Sequence, residues 1–509
     1  MKRAMQAMNR ALAAGLSVAL AAALCVGIAG PADAASRSRR DTALEQQLLA
    51  HITVLASDEF EGREPGTEGE ARTLRYIGRQ WYEIGLASGT NDPGHPWFAP
   101  VTLVGREPAG SAAIFARKGK RVYVPRDSVL MLTSGRRALV ENAPLLFVGT
   151  GANIDGLARS DLAGRVAVLL GGTEKSSERQ TALLKAGASA VLTVLDGALT
   201  LEQVGARRRR SGYALASDMP GGDLEGFIRA DTFERLAASA GTSLAALERA
   251  AADPDFVPAI LDLTATLEAT TRETTVKTYN VIGKLEGKRP QAGAVLFMAH
   301  WDHFGRCAEP PAEHLICNGA IDNASGVAAL TEVARRLSRV PQMDRDVYFV
   351  ATTAEELGLL GAEAFAENPP LPLKQVVAAF NIDSIAIAPA GTPLAIVGKG
   401  MTGLDGQIAA VARQQKRALV PGDAANRYVK RQDGWALLQH DIPAVMVTSA
   451  YGDLALLERF FDTDYHRPGD IVKPGLELGG AAQDVMFLVA LGRWFADLRK
   501  VPQSTPAAP

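Results

Sequence analysis

The sequence predicts an α/β fold with a mostly parallel central sheet flanked by helices. From about residue 265 onward, short apolar runs alternate with amphipathic segments, the pattern of strands and helices in such a sheet. The length of 509 residues exceeds what one hydrophobic core holds and predicts two or three packing units. Hydrophobic residues make up 47% of the chain, a globular composition that excludes a disordered or fibrous protein.

Net charge and cysteine content exclude two further classes of protein. The formal net charge is -2, whereas domains that bind nucleic acid are usually basic, so nucleic acid is not an expected partner. Three cysteines are too few for a disulfide-built scaffold or a cysteine-rich zinc module.

Residues 1–34 have the pattern of a secretory signal peptide. A basic head precedes the apolar stretch 11–29, and small residues then provide a cleavage site after Ala34. A retained membrane anchor is the alternative, but the stretch is mostly alanine and weakly hydrophobic for a membrane span. We therefore expect an exported protein, periplasmic or secreted, without stable membrane association after cleavage. In an oxidising compartment, Cys307 and Cys317 are expected to form a disulfide.

The remaining chain divides into three segments and a tail. Residues 41–111 form the first part of the main domain, with helical periodicity over 41–84 around a turn-rich loop at 61–67. Residues 112–262 contain short β-like runs separated by glycine and proline, and are interpreted as an insert. Residues 263–500 form the second part of the main domain, and the proline-rich tail 501–509 is predicted to be disordered.

Acidic and imidazole side chains follow the predicted strands of this second part. Strands predicted at 295–299, 347–353 and 376–380 each run directly into such residues. Further candidates precede a helix predicted at 327–337 or follow a strand predicted at 444–447. Because ligands of open parallel sheets bind beyond the carboxyl ends of the strands, we expect these side chains to converge. The candidate ligands are His300, Asp322, Glu356, Asp383 and His466.

This set of side chains predicts a metal site. Convergent carboxylates repel one another unless a cation neutralises them. Two histidines with three carboxylates form the ligand set of a two-metal hydrolytic site, and nitrogen and oxygen ligands suit zinc. Paired ions lie about 3.5–4 Å apart and share a bridging carboxylate. Asp322 is placed for that bridge, with His300 and Asp383 completing one ion and Glu356 and His466 the other.

Two neighbouring carboxylates have other predicted roles. Asp302, two residues past His300, is suited to hold the imidazole of that histidine. Glu355 adjoins a ligand but points elsewhere, which leaves it free to act as the general base on the attacking water. The structural alternatives are a helix N-cap for Asp322 and a solvated surface for the pair of glutamates. The other histidines are interpreted as structural or surface residues: His51, His95, His303, His314 and His440.

The order of these residues resembles metallopeptidase family twenty-eight, which includes aminopeptidase Y, bacterial leucyl aminopeptidases and glutamate carboxypeptidases. The metal motifs are His300-x-Asp302, Asp322-Asn323, Glu355-Glu356, Asp383 and His466. The resemblance extends to Gly62-Arg63-Glu64-Pro65-Gly66-Thr67, Tyr279-Asn280-Val281-Ile282-Gly283 and Tyr465-His466-Arg467-Pro468-Gly469-Asp470. The insert is similar to a protease-associated domain at Asp161-Leu162-Ala163-Gly164-Arg165-Val166 and Ala186-Gly187-Ala188.

The resemblance implies a zinc exopeptidase fold, two zinc ions on the ligands named above, and Glu355 as the base. Many relatives carry Ser-Asp-His where this chain has Gln432-Asp433-Gly434 at the border of the substrate pocket, so side-chain specificity is not carried over. Some relatives place a tyrosine just upstream that hydrogen-bonds the developing oxyanion, and Tyr428 is the nearest candidate here.

These observations predict an exported dizinc aminopeptidase that acts on peptides. A carboxypeptidase or dipeptidase of the same fold is the alternative, because Arg427, Lys430 and Arg431 offer cations for a substrate carboxylate. A glutaminyl cyclase-like transferase with one zinc ion and a metal-free, receptor-like binding protein are the remaining alternatives. The sequence leaves the oligomeric state open.

Overall fold

The computed structural model describes residues 31–151, 156–171, 176–197, 199–210, 212–218 and 223–502. Residues 1–30 of the predicted signal peptide and residues 503–509 of the predicted tail lie outside this part of the chain. Within the described ranges, no helix is both long enough and apolar enough to cross a membrane.

The described strands belong to one mixed sheet. Their bounds are β1 (Ala87–Ser88), β2 (Phe98–Arg117), β3 (Lys120–Val122), β4 (Val129–Leu132), β5 (Arg137–Phe147), β6 (Val166–Leu170), β7 (Ala190–Leu195), β8 (Tyr213–Leu215), β9 (Glu225–Arg229), β10 (Ala259–Leu285), β11 (Ala294–His300), β12 (Asp346–Thr352), β13 (Val376–Asn381), β14 (Ala395–Val397) and β15 (Ala444–Thr448). The main spatial order is β14-β15-β13-β11-β12-β10-β5-β6-β7-β9-β4.

Helices connect and cover these strands. Their bounds are α1 (Pro31–Leu55), α2 (Glu68–Ile84), α3 (Arg159–Leu162), α4 (Ser176–Ala186), α5 (Leu201–Arg210), α6 (Ala230–Ser239), α7 (Leu244–Ala251), α8 (Ser325–Leu337), α9 (Leu360–Glu367), α10 (Asp405–Gln415), α11 (Gly434–Gln439), α12 (Leu454–Thr463) and α13 (Gly479–Phe495). The helix predicted at 327–337 is confirmed as α8.

The centre of the sheet is parallel. Strands β12, β11, β13 and β15 lie side by side in this order and run in the same direction. The outer neighbours β10 and β14 are antiparallel to β12 and β15. The four strands predicted here are confirmed to within one residue at each end. The prediction succeeded because each strand is an unbroken apolar run, as expected of strands covered on both faces.

Alternate residues of the central strand β11 enter two different cores. Val295 and Phe297 pack in the larger core, which also contains buried residues of α1, α2, α8 and α13. Leu296 and Met298 pack on the opposite face against residues of α9 and α11. Each fully buried large apolar side chain contributes about 1.5–3 kcal/mol. The two covered faces therefore hold the carboxyl ends of the parallel strands rigidly at one edge.

Helix α2 anchors the N-terminal part to this core. The Thr67 hydroxyl accepts the backbone N–H of Glu70 at the start of the helix, and Gly85 ends it in a left-handed conformation with φ 87°. The Trp81 side chain is fully buried and its indole N–H donates to the Thr331 hydroxyl over 3.2 Å. This packing fixes the loop before α2, which reaches the candidate site.

Strand β10 joins two lobes of the sheet, the central parallel strands β11, β12, β13 and β15 on one side and the strands from β5 to β4 on the other. It is 27 residues long and pairs with β2, β5 and β12. Leu261, Leu263, Ala265 and Leu267 are buried while the residues between them are more exposed, which is the period-two pattern of a strand. The strand continues without a break across residue 262, where the sequence analysis ended the insert.

The segment 112–262 contains helices as well as strands. Strands β5, β6, β7 and β9 form a second parallel group, with β4 antiparallel at its edge. Helices α3, α4 and α5 lie between these strands along the chain, and α6 and α7 lie between β9 and β10. Gly187 follows the last residue of α4 and has a positive φ of 113°. The similarity of this segment to a protease-associated domain stays a prediction.

Candidate metal centre

The carboxyl ends of β11, β12 and β13 bring most of the predicted site residues to one edge of the sheet. His300 is the last residue of β11, Asp383 lies two residues past β13, and the two glutamates follow β12. Asp322 lies in the turn that leads into α8, and the peptide bond that follows it is cis. His466 comes three residues after α12 and has a positive φ of 57°.

Three of these residues form a first group. The Nε2 atom of His300 lies 3.2 Å from Oδ1 of Asp322 and 3.5 Å from Oδ1 of Asp383. All three side chains are at most 8% exposed. One imidazole nitrogen and two carboxylate oxygens thus face a common point, as the sequence analysis predicted for the first ion.

A second group uses the other oxygen of the same aspartate. The Nε2 atom of His466 lies 3.3 Å from Oδ2 of Asp322 and 3.0 Å from Oε2 of Glu356. Asp322 therefore directs one carboxylate oxygen to each group, the arrangement that a bridging ligand requires.

His303 belongs to the second group, although the sequence analysis interpreted it as structural or surface. Its Nε2 atom lies 3.4 Å from Oε1 of Glu356 and 4.0 Å from Oδ2 of Asp322, and its side chain is fully buried. Its spacing of three residues from His300 was the available sign. His303 lies beyond the end of β11, where the alternation of the strand no longer determines which way a side chain points. The sequence pattern alone therefore could not show that His303 faces the site.

The polar atoms of the site fit a metal. The Nε2 atoms of His300, His303 and His466 and Oε1 of Glu356 are buried and have no hydrogen-bond partner among the described residues. Buried polar atoms are almost always satisfied, and these four point into the two groups. Burial and the nearby Asp322 raise the pKa of Glu356 to about 8, which shows how unfavourable another negative charge is here. Cations bound by these nitrogen and oxygen atoms would give the buried polar atoms a partner and would neutralise the negative charge. This donor set suits zinc.

Glu355 lies beside the two groups without belonging to either. Its Oε2 atom is 3.9 Å from Nε2 of His300, and the side chain is 10% exposed. Burial, and then the neighbouring Glu356 and Asp383, raise the pKa of Glu355 well above its usual value despite the opposing effect of His300. A carboxylate in this position has affinity for a proton and can exchange one with a group that lies between the two sets of ligand side chains.

Asp302 fixes the segment that carries the two glutamates. Its Oδ1 accepts the backbone N–H of Glu355 over 3.1 Å, and its Oδ2 is 3.3 Å from the N–H of Glu356. The Nδ1 atom of His300 lies 3.2 Å from the Asp302 carbonyl oxygen and 3.8 Å from its carboxylate. Asp302 thus positions the segment of the two glutamates through its carboxylate, and its predicted role in holding the His300 imidazole stays a prediction.

Two further buried side chains position Asp322 and Asp383. The carboxylate of Asp470 accepts the backbone N–H groups of Ile321 and Asp322 over 2.9 and 3.0 Å. Asn323 donates to the carbonyl of Ile382 over 2.9 Å, which ties the turn of the bridging aspartate to the loop of Asp383. The sequence analysis assigned neither role, because such contacts join segments far apart in the chain.

Arg63, in the N-terminal loop, contacts the backbone of the segments that carry site residues. This side chain is fully buried, and burial lowers its pKa to about 10, so it stays charged at neutral pH. Its guanidinium donates to the carbonyl oxygens of Trp301, Asn318 and Gly319 over 2.5–2.9 Å, and also to that of Leu55 over 2.8 Å. The arginine therefore holds together the segments that precede His303 and Asp322.

We expect Arg63→Lys to lower the free energy of unfolding by about 2–4 kcal/mol, because the ammonium of lysine cannot reproduce the planar fork of contacts. Urea denaturation followed by circular dichroism measures this change. Arg75→Lys is the control, since Arg75 is 66% exposed and its substitution should shift stability by no more than about 0.5 kcal/mol. Equal free energies of unfolding for the two variants would show that the contacts of Arg63 do not stabilise this part of the fold.

The structure offers other tyrosines near the ligands besides the one predicted. The ring of Tyr428 packs against those of Tyr451 and Phe461, with centroid distances of 5.6 and 5.5 Å. Two other tyrosines respond to the site. Burial, and then Asp383 and Asp322, raise the pKa of Tyr451 well above its usual value. Burial, and then Asp322 and Glu356, also raise the pKa of Tyr465, whose ring stacks on His466. The role given to Tyr428 stays a prediction, and Tyr451 is a second candidate that the sequence analysis missed.

Cys307 and Cys317 form a disulfide. It closes a loop that contacts the site, because the Cys317 carbonyl oxygen lies 2.9 Å from Nδ1 of His303. His314, in the same loop, is partly exposed and lies 3.2 Å from a carboxylate oxygen of Asp58.

Comparisons with known proteins agree with this geometry. Residues 280–487 match Peptidase family M28. The chain is 33% identical over 112 residues to the alkaline phosphatase isozyme conversion protein of Escherichia coli K12, covering 21% of this chain and 32% of that protein. It is 32% identical over 126 residues to aminopeptidase YwaD of Bacillus subtilis strain 168, covering 24% and 25%. The matched segments thus span a third or less of these curated relatives.

Solved structures resemble the chain over a greater length. An aminopeptidase from Aneurinibacillus sp. strain AM-1 superimposes with a TM-score of 0.54 at 20% identity, covering 89% of this chain and 93% of that one. BSAP, a zinc aminopeptidase from Bacillus subtilis, gives a TM-score of 0.44 at 18% identity, covering 90% and 97%. The first of these similarities supports the α/β fold. The family match is confined to residues 280–487, and this part of the chain is therefore similar to Peptidase family M28.

Proposed function

We propose that the chain is an exported zinc aminopeptidase that binds two metal ions and removes N-terminal residues from peptides. The main support is the position of Asp322, which directs one carboxylate oxygen to His300 and the other to His466. His300, Asp322 and Asp383 would hold the first ion, and Asp322, Glu356 and His466 the second. The relatives that are named aminopeptidases favour this activity over other peptidase reactions.

The side chains of the site have complementary roles in this reaction. Zinc, when bound, supplies the Lewis acidity that polarises the scissile carbonyl and makes water acidic enough to attack near neutral pH. Glu355 takes the proton of the attacking water and returns it to the leaving amine, which balances the proton transfer over one turnover. Asp302 keeps the Glu355 segment in place during both transfers through its two backbone contacts.

Tyr451 is suited to stabilise the negative charge that develops on the carbonyl oxygen. Its raised pKa keeps the hydroxyl protonated, so that it can donate a hydrogen bond in a water-poor site. The hydroxyl is also within electrostatic reach of Asp322, Asp383 and Glu355.

A carboxypeptidase or dipeptidase is the second candidate, and the position of Arg431 favours it. Its guanidinium lies 5.4 Å from the ring of Tyr465, which in turn stacks on His466 with a centroid distance of 3.6 Å. A substrate carboxylate near the second ion could pair with this cation. Of the other two cations, Arg427 pairs with Glu458, and Lys430 lies 5.4 Å from the ring of Trp435.

Hydrolysis of three matched peptides distinguishes these activities. The zinc-loaded protein is given one sequence with a free amino end, the same sequence acetylated at that end, and the same sequence amidated at the carboxyl end. An aminopeptidase cleaves the first and third and leaves the acetylated peptide intact. Cleavage of the acetylated peptide together with resistance of the amidated one would reject the proposal in favour of a carboxypeptidase.

Export is the second element of the proposal. It is supported by the signal-peptide pattern of residues 1–34 and by the Cys307–Cys317 disulfide, since such bonds persist in oxidising compartments. The expected partners are peptides, with neither nucleic acid nor a stable membrane contact. Fractionation of cells that express the full chain tests this part: an exported protein begins at Ala35, whereas a cytoplasmic protein with residue 1 intact would reject it.

A further inference from the structure

We propose that His303 is a direct ligand of the second metal ion and makes that site the more tightly binding of the two. The inference rests on the proposed function in one respect, namely that ions bind at both groups. The imidazole of His303 is fully buried, and its Nε2 atom finds no hydrogen-bond partner in the part of the chain that the structure describes. This atom faces Oε1 of Glu356 at 3.4 Å and Oδ2 of Asp322 at 4.0 Å.

The other ring nitrogen of His303 prepares it for this role. Its Nδ1 atom lies 2.9 Å from the Cys317 carbonyl oxygen. A carbonyl oxygen only accepts hydrogen bonds, so Nδ1 carries the proton and Nε2 presents its lone pair. Histidine ligands of metals are commonly held in this way, with one nitrogen on a backbone carbonyl and the other on the ion. A histidine with a purely structural role would leave the lone pair of Nε2 buried and unsatisfied.

The backbone around His303 is fixed as firmly as its ring. The N–H of His303 donates to the Arg63 carbonyl over 3.3 Å, and the N–H of Gly305 donates to the Gly62 carbonyl over 3.1 Å. The N–H of Cys317 donates to the Gly305 carbonyl over 2.8 Å. The N-terminal loop and the disulfide loop thus hold the imidazole between them, pointing at Glu356.

The two ion sites would therefore differ in the number of protein ligands. The second would have four side chains, two of them imidazoles: His303, Asp322, Glu356 and His466. The first would have only three: His300, Asp322 and Asp383. Zinc sites closed by four protein ligands serve mainly as structural sites, whereas catalytic sites keep an open position. The first site is thus the one open to the substrate and the one that exchanges its ion more readily.

Stepwise removal of zinc tests this assignment. The zinc-loaded protein is dialysed against increasing concentrations of 2,6-pyridinedicarboxylate, and the zinc left per chain is measured by atomic emission. We expect the wild-type chain to lose its two ions in two separate steps. In His303→Gln the second step should move to a chelator concentration roughly 100-fold lower, since even the outer partners of metal ligands change affinity by about 10- to 100-fold.

The matched control is His314→Gln, which replaces the partly exposed histidine of the same disulfide loop and should leave both steps unchanged. A His303→Gln variant that is folded by circular dichroism and releases both ions as the wild type does would overturn the assignment. If that variant does not fold, zinc-edge X-ray absorption of the wild-type chain decides. Scattering from three imidazoles shared by two ions supports the assignment, and scattering from two overturns it.

These results are independent of the peptide assay. Two-step release that depends on His303, in a protein that cleaves none of the three peptides, would keep the His303 assignment and reject the aminopeptidase. Peptide cleavage with His303-independent release would keep the enzyme and reject the ligand.

Discussion

Asp322→Ala is expected to remove both metal ions and to lower peptide hydrolysis by at least about 10³-fold. The loss of both ions follows because this one carboxylate faces His300 through Oδ1 and His466 through Oδ2. Without it, each group keeps its imidazoles but loses the charge that both share. Metal ions supply several kcal/mol of stabilisation in such reactions, and each 1.4 kcal/mol changes the rate about tenfold.

The measurement is zinc per chain, determined together with the rate of cleavage of a peptide with a free amino end. Asp462→Ala is the control, because Asp462 lies in the segment that leads to His466 but has an exposed side chain. The control should bind two ions and keep wild-type activity. An Asp322→Ala protein that still holds two zinc ions would show that this carboxylate does not bridge them.

Glu355→Gln is expected to keep both ions and to lower kcat by about 10²–10⁴-fold. Glutamine has nearly the shape of glutamate but cannot take a proton from water or return it to the leaving amine. Metal binding should persist because Glu355 lies outside both ligand groups, with its Oε2 3.9 Å from Nε2 of His300. KM should change little, since the lost interaction develops only during the reaction.

Zinc content and steady-state kinetics on the same preparation check this expectation. Glu363→Gln is the control, because this glutamate lies in α9, belongs to neither ligand group and contacts His440 over 3.1 Å. Wild-type kcat in a Glu355→Gln variant with two ions would assign the base to another residue. Loss of one ion would make Glu355 a ligand instead.

The strands and the approximate position of the site could be predicted from the sequence because the signals are local. Strands covered on both faces are unbroken apolar runs, so β11, β12, β13 and β15 were found to within one residue. Since parallel strands end at one edge, the residues that follow them were expected to converge there. His300, Asp322, Asp383, Glu356 and His466 do lie together in the structure.

The residues that were missed act through contacts between distant segments. The sequence analysis assigned no role to His303, Arg63 or Asp470, although Arg63 and Asp470 lie in motifs of the family resemblance. Their roles depend on how the disulfide loop and the N-terminal loop fold back onto the site. Tyr451 lies just past β15, and its nearness to the carboxylates depends on how the following loop turns. Sequence periodicity contains no information about the paths that these loops take.

Strand β10 was overlooked for a different reason. Its alternation of buried and exposed residues from Leu261 to Ala269 is a strand pattern that the sequence does contain. The change in texture near residue 262 was interpreted as a domain boundary instead. One strand paired with β2, β5 and β12 links both lobes, so a boundary drawn from composition cut through a continuous element.

The most direct test of the two-ion site is an anomalous difference map, calculated from zinc-loaded crystals of the wild-type chain with data collected at the zinc absorption edge. The geometry described above leads us to expect two peaks on either side of the Asp322 carboxylate. One peak should lie against His300 and Asp383, and the other against Glu356, His303 and His466. A single peak, or none, in crystals that contain excess zinc would contradict the proposed two-ion site.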